Sequence, residues 1–141
     1  MTMNILIVDD ELEICKVLKR YLEMESEYNV EYETDPVDAL EKIKKGGFHI
    51  VLSDIMMPGL DGIELLREIK NVDGLVQVVM MTAFSTVEKV IACLEIGAAD
   101  YIMKPFEDLS EVKEIIDQVA TKLKRWRTVV VASQQLQRHN N

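Results

Sequence analysis

The sequence predicts an α/β fold in which a doubly wound, five-stranded parallel sheet is covered by helices on both faces. Short apolar runs alternate with helical patterns, beginning at residues 4–8 (NILIV), whose unbroken hydrophobicity is typical of a strand buried on both faces. The next segment has apolar residues at helical spacing, namely Ile14, Val17, Leu18, Tyr21 and Leu22. About five such strand-helix pairs follow one another, and regular alternation of this kind indicates a parallel sheet.

Each later element has its own signal. The remaining strands are predicted from short, mostly apolar runs at residues 29–33, 49–53, 76–81 and 101–103. The remaining helices are predicted from apolar residues at helical spacing within residues 36–45, 63–71, 87–94 and 112–123. Pro36 is suited to the first turn of its helix, and Gly46 and Gly97 are suited to helix ends.

The chain is predicted to divide into one domain, residues 1–123, and a tail, residues 124–141. The charged residues of the tail region are all basic, namely Lys122, Lys124, Arg125, Arg127 and Arg138. Trp126 and Val130 continue the seven-residue spacing of Val119 and Leu123, which favours an amphipathic helical extension. The β-branched run at residues 129–131 opposes a helix. The tail is therefore interpreted as a helical extension, which would support a homodimer, or as a linker.

Composition excludes several classes of function. The net charge of −9 and the pI of about 4.7 argue against direct nucleic-acid binding, because such binding depends on Lys and Arg neutralising phosphates. Cys15 and Cys93 lack the spacing of a zinc site or a disulfide framework, which favours reduced thiols in the cytoplasm. No signal peptide and no long apolar run is evident, so no association with a membrane is expected.

Polar residues follow four of the predicted strands. Asp9 and Asp10 follow the first strand, Asp54 the third, Thr82 the fourth and Lys104 the fifth. Ligands of open α/β sheets bind beyond the carboxyl ends of the strands, so these side chains should converge on one rim.

The formal charges at this rim predict a metal ion. Three carboxylates and one ammonium sum to −2, an arrangement that repels itself unless a divalent cation is bound or a carboxyl is protonated. Carboxylate oxygens suit Mg²⁺, which often completes its shell with substrate phosphate. Asp54 lies between the acid pair and Lys104 in the predicted sheet, so it is the expected nucleophile for forming an aspartyl phosphate.

These residues carry a resemblance to a known family. The segments VDDE, SDIMMPGLDG, MTAF and KPF resemble the receiver domains of bacterial two-component response regulators, over roughly residues 1–123. The resemblance implies the flavodoxin-like (βα)5 receiver fold. It also implies a phosphoacceptor that takes its phosphoryl group from a sensor histidine kinase and then signals to a downstream effector. Such a module is not an enzyme acting on an external substrate, but it promotes its own phosphorylation and dephosphorylation.

The resemblance also implies a set of metal ligands. Asp10 and Asp54 would bind Mg²⁺ directly, Asp9 would assist through a water molecule, and the Met56 backbone carbonyl would complete the protein ligands.

Further roles follow from the same resemblance. Lys104 would pair with the phosphoryl oxygens, and the peptide bond after it would be cis. Thr82 would move to donate a hydrogen bond to the phosphoryl group, and the Tyr101 rotamer would follow. Met56 and Phe84 would influence how fast phosphate is lost.

Structural explanations compete with these roles. In the structural explanation, Asp9 and Asp10 merely cap the helix that starts near Glu11. Tyr101 would also serve as an ordinary half-buried strand residue. Residues 59–62 (GLDG) are interpreted as turn geometry, because glycine permits positive φ and Asp caps or bends the backbone.

Two other functions are compatible with this element order. The first is a flavodoxin-like nucleotide or flavin binder, although the loop after the first strand reads DDELE and would repel phosphate. The second is an aspartyl phosphatase, which would usually have a D-x-D arrangement rather than adjacent acids and a distant nucleophile.

Overall fold

The computed structural model describes residues 2–24, 27–83 and 86–140. Strands and helices alternate along the chain as β1 (Met3–Val8), α1 (Leu12–Glu23), β2 (Tyr28–Glu33), α2 (Pro36–Lys44), β3 (Ile50–Asp54), α3 (Gly62–Val72), β4 (Gln77–Thr82), α4 (Val87–Ile96), β5 (Asp100–Met103) and α5 (Leu109–Asn140). The strands form one sheet in the order β2-β1-β3-β4-β5, and each neighbouring pair is parallel. The predicted fold class is confirmed.

Alternation of side chains along the central strands creates two apolar layers. In β1, Ile5 and Ile7 belong to a core cluster shared with α1 and α5. Leu6 and Val8 belong to a second cluster, shared with α2, α3 and α4. Because successive strand residues point to opposite faces, a strand with both faces covered has to be apolar throughout.

The buried face of α1 differs slightly from the predicted stripe. Val17 was expected to belong to it, but its side chain is half exposed, and Cys15 is buried together with Leu18 and Leu22. The buried set is therefore spaced i, i+3 and i+7 around a face centred closer to Cys15.

The apolar stripe of α4 faces solvent. The helix forms where its periodicity predicted it, but Val87 is 71% exposed and Leu94 73%, and Cys93 is the fully buried side chain. Val90 and Ile91 are also exposed. The stripe therefore forms an apolar surface beside β5, which is an edge strand of the sheet.

Helix α5 continues far beyond the sheet. Val112, Ile116, Val119 and Leu123 pack into the core, and the same helix continues to Asn140 without a break. At 1.5 Å per residue, its 32 residues extend about 48 Å. In the described part of the chain, no helix combines the length and the apolar character needed to span a bilayer.

Candidate functional site

The polar residues predicted to converge do so at the carboxyl edge of the sheet. Asp54 ends β3, Thr82 ends β4, and Asp9 and Lys104 follow β1 and β5. All four are buried, with Asp54 6% exposed and Lys104 8% exposed. Asp10 is exposed beside them. Buried charged side chains are rare unless they are paired, so their partners identify the chemistry of the site.

Lys104 joins the ends of β1 and β3. Its Nζ lies 2.6 Å from Asp9 Oδ2 and 3.0 Å from Asp54 Oδ2. The backbone N–H of Lys104 donates to the Thr82 carbonyl at 2.9 Å, which fixes the start of the β5-α5 loop beside β4. The Lys104-Pro105 peptide bond is cis, as the family resemblance implied.

Burial and hydrogen bonding set the charges of this cluster. Burial raises the pKa of Asp9, and the hydrogen bonds from Lys104 and from the Glu11 amide offset only part of that effect. Burial alone would lower the pKa of Lys104, but its hydrogen bonds to Asp9 and Asp54 outweigh burial and hold that pKa above its usual value. Lys104 is therefore a fixed positive charge at the site.

The three carboxylates form a group able to hold a metal ion. Asp9, Asp10 and Asp54 each contribute an oxygen, and these oxygens lie within 4.8 Å of one another. An all-oxygen group of this kind suits a hard divalent cation, and the exposure of Asp10 leaves room for the waters that such a cation retains. The donor set therefore fits the predicted Mg²⁺.

Asp9 links the start of α1 to Lys104. The N-cap residue of α1 is Glu11, so the expected capping by Asp9 and Asp10 is wrong, and the assistance of Asp9 to a metal ion remains a prediction. Asp9 Oδ1 accepts a hydrogen bond from the Glu11 N–H at 2.9 Å, at the start of α1, while its Oδ2 binds Lys104. Its backbone carbonyl accepts a hydrogen bond from Cys15 Sγ at 3.3 Å. Burial raises the pKa of Cys15 to about 12, which favours the protonated thiol at neutral pH.

Met56 lies at the mouth of the site. Its N–H donates to Asp54 Oδ1 at 3.3 Å, and its side chain is about half exposed. The predicted role of its carbonyl as a metal ligand remains a prediction.

The loop between β3 and α3 holds Asp54 in place in a way that the sequence analysis missed. Gly59 has a φ of +90°, as a turn glycine should, and Asp61 caps α3 by accepting the Glu64 N–H at 2.9 Å. Gly62 is different, because a Cβ there would lie 2.1 Å from the Asp54 carbonyl oxygen. Because Gly62 has no side chain, the start of α3 can lie directly against the backbone at the end of β3. The sequence offered one indication of this close contact, a glycine in the first turn of a predicted helix.

The predicted switch residues occupy neighbouring strands. Thr82 is buried at the end of β4, and Tyr101 is half-buried on β5, where it packs with the core cluster under α2, α3 and α4. The phenolic oxygen of Tyr101 is shielded from solvent. Phe84 lies outside the described residues. The motion expected of Thr82 and Tyr101 remains a prediction.

Known proteins are similar to this chain in sequence. The uncharacterized transcriptional regulatory protein YkoG of Bacillus subtilis is 36% identical over 86% of this chain and 51% of its own length. The transcriptional regulatory protein ZraR of Klebsiella oxytoca is 39% identical over 74% of this chain and 23% of its own length. The chain thus spans about half the length of the first of these curated relatives and about a quarter of the length of the second.

A solved structure and a family model agree with these relatives. A CheY-like response regulator receiver domain protein from Methanospirillum hungatei JF-1 superimposes with a TM-score of 0.80 at 30% identity, covering 89% of this chain and 99% of that one. The model of the response regulator receiver domain matches residues 5–117. With its acidic rim and buried lysine, the chain belongs to the receiver domain family of two-component response regulators, whose general function is phosphorylation of an aspartate with Mg²⁺.

Proposed function

We propose that Asp54 is the phosphoacceptor of this receiver domain. The observation that carries the proposal is the position of the Lys104 ammonium, 3.0 Å from Asp54 Oδ2 and within a group of three carboxylates. A lysine bound to the nucleophile is placed to receive the incoming phosphoryl oxygens.

The reaction is transfer of a phosphoryl group from nitrogen to oxygen. A carboxylate oxygen of Asp54 attacks phosphorus, a P–O bond forms, and the P–N bond of the donor phosphohistidine breaks with its electron pair passing to the imidazole. Asp9 also binds the Lys104 ammonium, which would keep the ammonium in place while charge moves onto the phosphoryl oxygens. The chain thereby promotes its own phosphorylation without being an enzyme for an external substrate.

Asp10 and Asp54 would bind Mg²⁺ directly, with Asp9 acting through water and the Met56 carbonyl completing the protein ligands. The bound cation would neutralise the carboxylates and the transferring oxygens. The group of oxygens within 4.8 Å supports this assignment. The acid pair also argues against the flavodoxin-like alternative, because it would repel a flavin phosphate.

Loss of phosphate is proposed to be slow. Hydrolysis needs a water molecule in line with the P–O bond, and a polar neighbour would orient that water. Met56, two residues after Asp54, offers only a thioether, which is a weak acceptor.

Phosphorylation is proposed to change the surface of α4. Thr82 would move toward the phosphoryl group and Tyr101 would follow, which would shift the exposed stripe of Val87, Ile91 and Leu94 that an effector contacts. NMR spectra with and without beryllofluoride test this switch. Shifts that remain confined to the acidic rim and do not reach residues 87–101 would contradict it.

The extension of α5 is proposed to form a homodimer, with a linker role as the alternative. Trp126 is 55% exposed and Leu136 64% exposed, and together with Val129 they have the spacing of a coiled-coil seam. The cognate partners are proposed to be a sensor histidine kinase and an effector in the cytoplasm, without direct contact to nucleic acid.

The assignment of Asp54 is tested by intact-protein mass measurement after incubation with acetyl phosphate and Mg²⁺. We expect one phosphoryl group on the wild type and on Asp38→Asn, an exposed control on α2, and none on Asp54→Asn. Excess chelator should abolish labelling of the wild type. Full labelling of Asp54→Asn would refute the assignment.

A further inference from the structure

Lys89 is a cation close to the site that none of the roles above uses. It lies in the first turn of α4, where its N–H donates to the capping Thr86 hydroxyl oxygen at 3.3 Å. Its side chain is half-buried, and its Nζ lies 3.0 Å from Met56 Sδ. Within the described part of the chain, its ammonium forms no ion pair with a carboxylate.

The partner of this ammonium is a weak one. A thioether sulfur accepts hydrogen bonds poorly, whereas an ammonium binds an anionic oxygen strongly. Met56 is two residues after Asp54, and its N–H donates to Asp54 Oδ1 at 3.3 Å. Lys89 is thus held beside the proposed phosphoacceptor by a contact that it would exchange readily for an oxygen anion.

Phosphorylation would create a need for a second cation. With a divalent cation bound, the formal charges of Asp9, Asp10, Asp54 and Lys104 are balanced. A phosphoryl group at neutral pH carries a charge of about −1.5 to −2 in place of the single carboxylate charge, which leaves the rim negative. The flexible four-carbon stem of Lys89 allows its ammonium to leave the sulfur.

We propose that Lys89 is a second phosphoryl-binding lysine, whose ammonium moves from Met56 Sδ to the phosphoryl oxygens on Asp54. The inference rests on the proposed phosphorylation of Asp54 and adds a residue to that site. Because Lys89 belongs to the first turn of α4, this movement also links the phosphoryl charge directly to the helix that carries the exposed apolar stripe.

Titrations followed by NMR test the proposal on the full chain, using Mg²⁺ alone and then beryllofluoride in the presence of Mg²⁺. The variants are Lys89→Met and Lys89→Arg, with Lys45→Met as a control of equal charge at the end of α2. Lys45 precedes β3 and therefore lies at the opposite edge of the sheet from Asp54.

We expect Lys89→Met to bind beryllofluoride about two- to fivefold more weakly than the wild type, as for a partly exposed ion pair, and Lys89→Arg to restore most of the affinity. Affinity for Mg²⁺ alone should be unchanged or slightly higher in Lys89→Met, because a positive charge has been removed. The loss should shrink at high salt.

Three outcomes would overturn the inference. They are equal beryllofluoride affinity in Lys89→Met and the wild type, an equal loss in Lys45→Met, and a parallel loss of Mg²⁺ affinity that would indicate structural damage. If the wild type does not bind beryllofluoride at all, the proposed phosphorylation of Asp54 fails, and this inference fails with it.

Discussion

Replacing Gly62 by alanine should destabilise the fold and displace the proposed phosphoacceptor. A Cβ at this position would lie 2.1 Å from the Asp54 carbonyl oxygen and 2.7 Å from Ile55 Cα, while ordinary contact begins at 3.4 Å. The helix start would have to move by about 1.3 Å, the difference between 3.4 and 2.1 Å, because both neighbours are backbone atoms. The Gly62 N–H also donates to the Ile55 carbonyl at 2.8 Å, so this movement would weaken that hydrogen bond.

The expected magnitude follows from two opposing effects. Forcing an extra carbon into a packed site costs about 1–3 kcal/mol in free energy of unfolding. Alanine is intrinsically better than glycine in a helix by about 1 kcal/mol, so helix propensity alone would make the variant more stable. We therefore expect a net loss of up to about 2 kcal/mol in free energy of unfolding, and a loss rather than a gain identifies steric overlap as the cause.

Urea denaturation followed by circular dichroism measures this loss, with Gly74→Ala as the matched control. A Cβ added at Gly74 would meet no atom within 4 Å, and its φ is not positive, so alanine there should leave stability unchanged or raise it by up to about 1 kcal/mol. Gly62→Ala should also reduce the rate of phosphorylation by acetyl phosphate, because Asp54 would move. Wild-type stability together with wild-type phosphorylation in Gly62→Ala would refute the steric argument.

Four further predictions concern other parts of the molecule. Lys104→Met should lower the free energy of unfolding by about 3–5 kcal/mol at neutral pH without Mg²⁺, because two buried carboxylates lose their partner. Mg²⁺ should stabilise this variant more than it stabilises the wild type. Denaturation with and without Mg²⁺ measures both effects. Burial raises the pKa of Cys15 from 9.0 to about 12, so the folded state holds this proton longer than the unfolded state, and wild-type stability should fall as pH rises from about 9 toward about 12; an identical slope in Cys15→Ala would contradict this. Met56→Asn should hasten phosphate release from the phosphorylated protein, and an unchanged rate would show that this neighbour does not control lifetime. Trp126→Glu should shift sedimentation of the full chain toward monomer, whereas Gln134→Glu should not, and monomers in every case would exclude the dimer.

The sequence alone predicted most of the site because of a simple geometric rule. Parallel strands present their carboxyl ends at one edge, so the polar residues that interrupt apolar runs at Asp9, Asp54, Thr82 and Lys104 had to meet there. Hydrophobic periodicity likewise located the strands and helices to within a few residues, because burial on both faces leaves a strong pattern. The exception is the end of α5, which continues to Asn140, far beyond the apolar repeat that ends at Leu123.

Periodicity located α4 but did not determine which of its faces is buried. Val87, Ile91 and Leu94 have helical spacing, and only the packing of α4 near the sheet edge revealed that they face solvent. An apolar stripe indicates that one face of a helix will be buried. Either the core of the same chain or a partner protein can bury that face.

Individual contacts at the site were decided by tertiary structure. The overlap that excludes a Cβ at Gly62, the contact of Lys89 with Met56, and the division of Asp9 between Glu11 and Lys104 all depend on distances between atoms. Local sequence can predict a strand or a helix because the backbone returns side chains to the same face about every 2 residues in a strand and about every 3.6 residues in a helix. The distance between side chains 33 or 95 positions apart depends on how the completed elements pack together, and no local repeat encodes that packing.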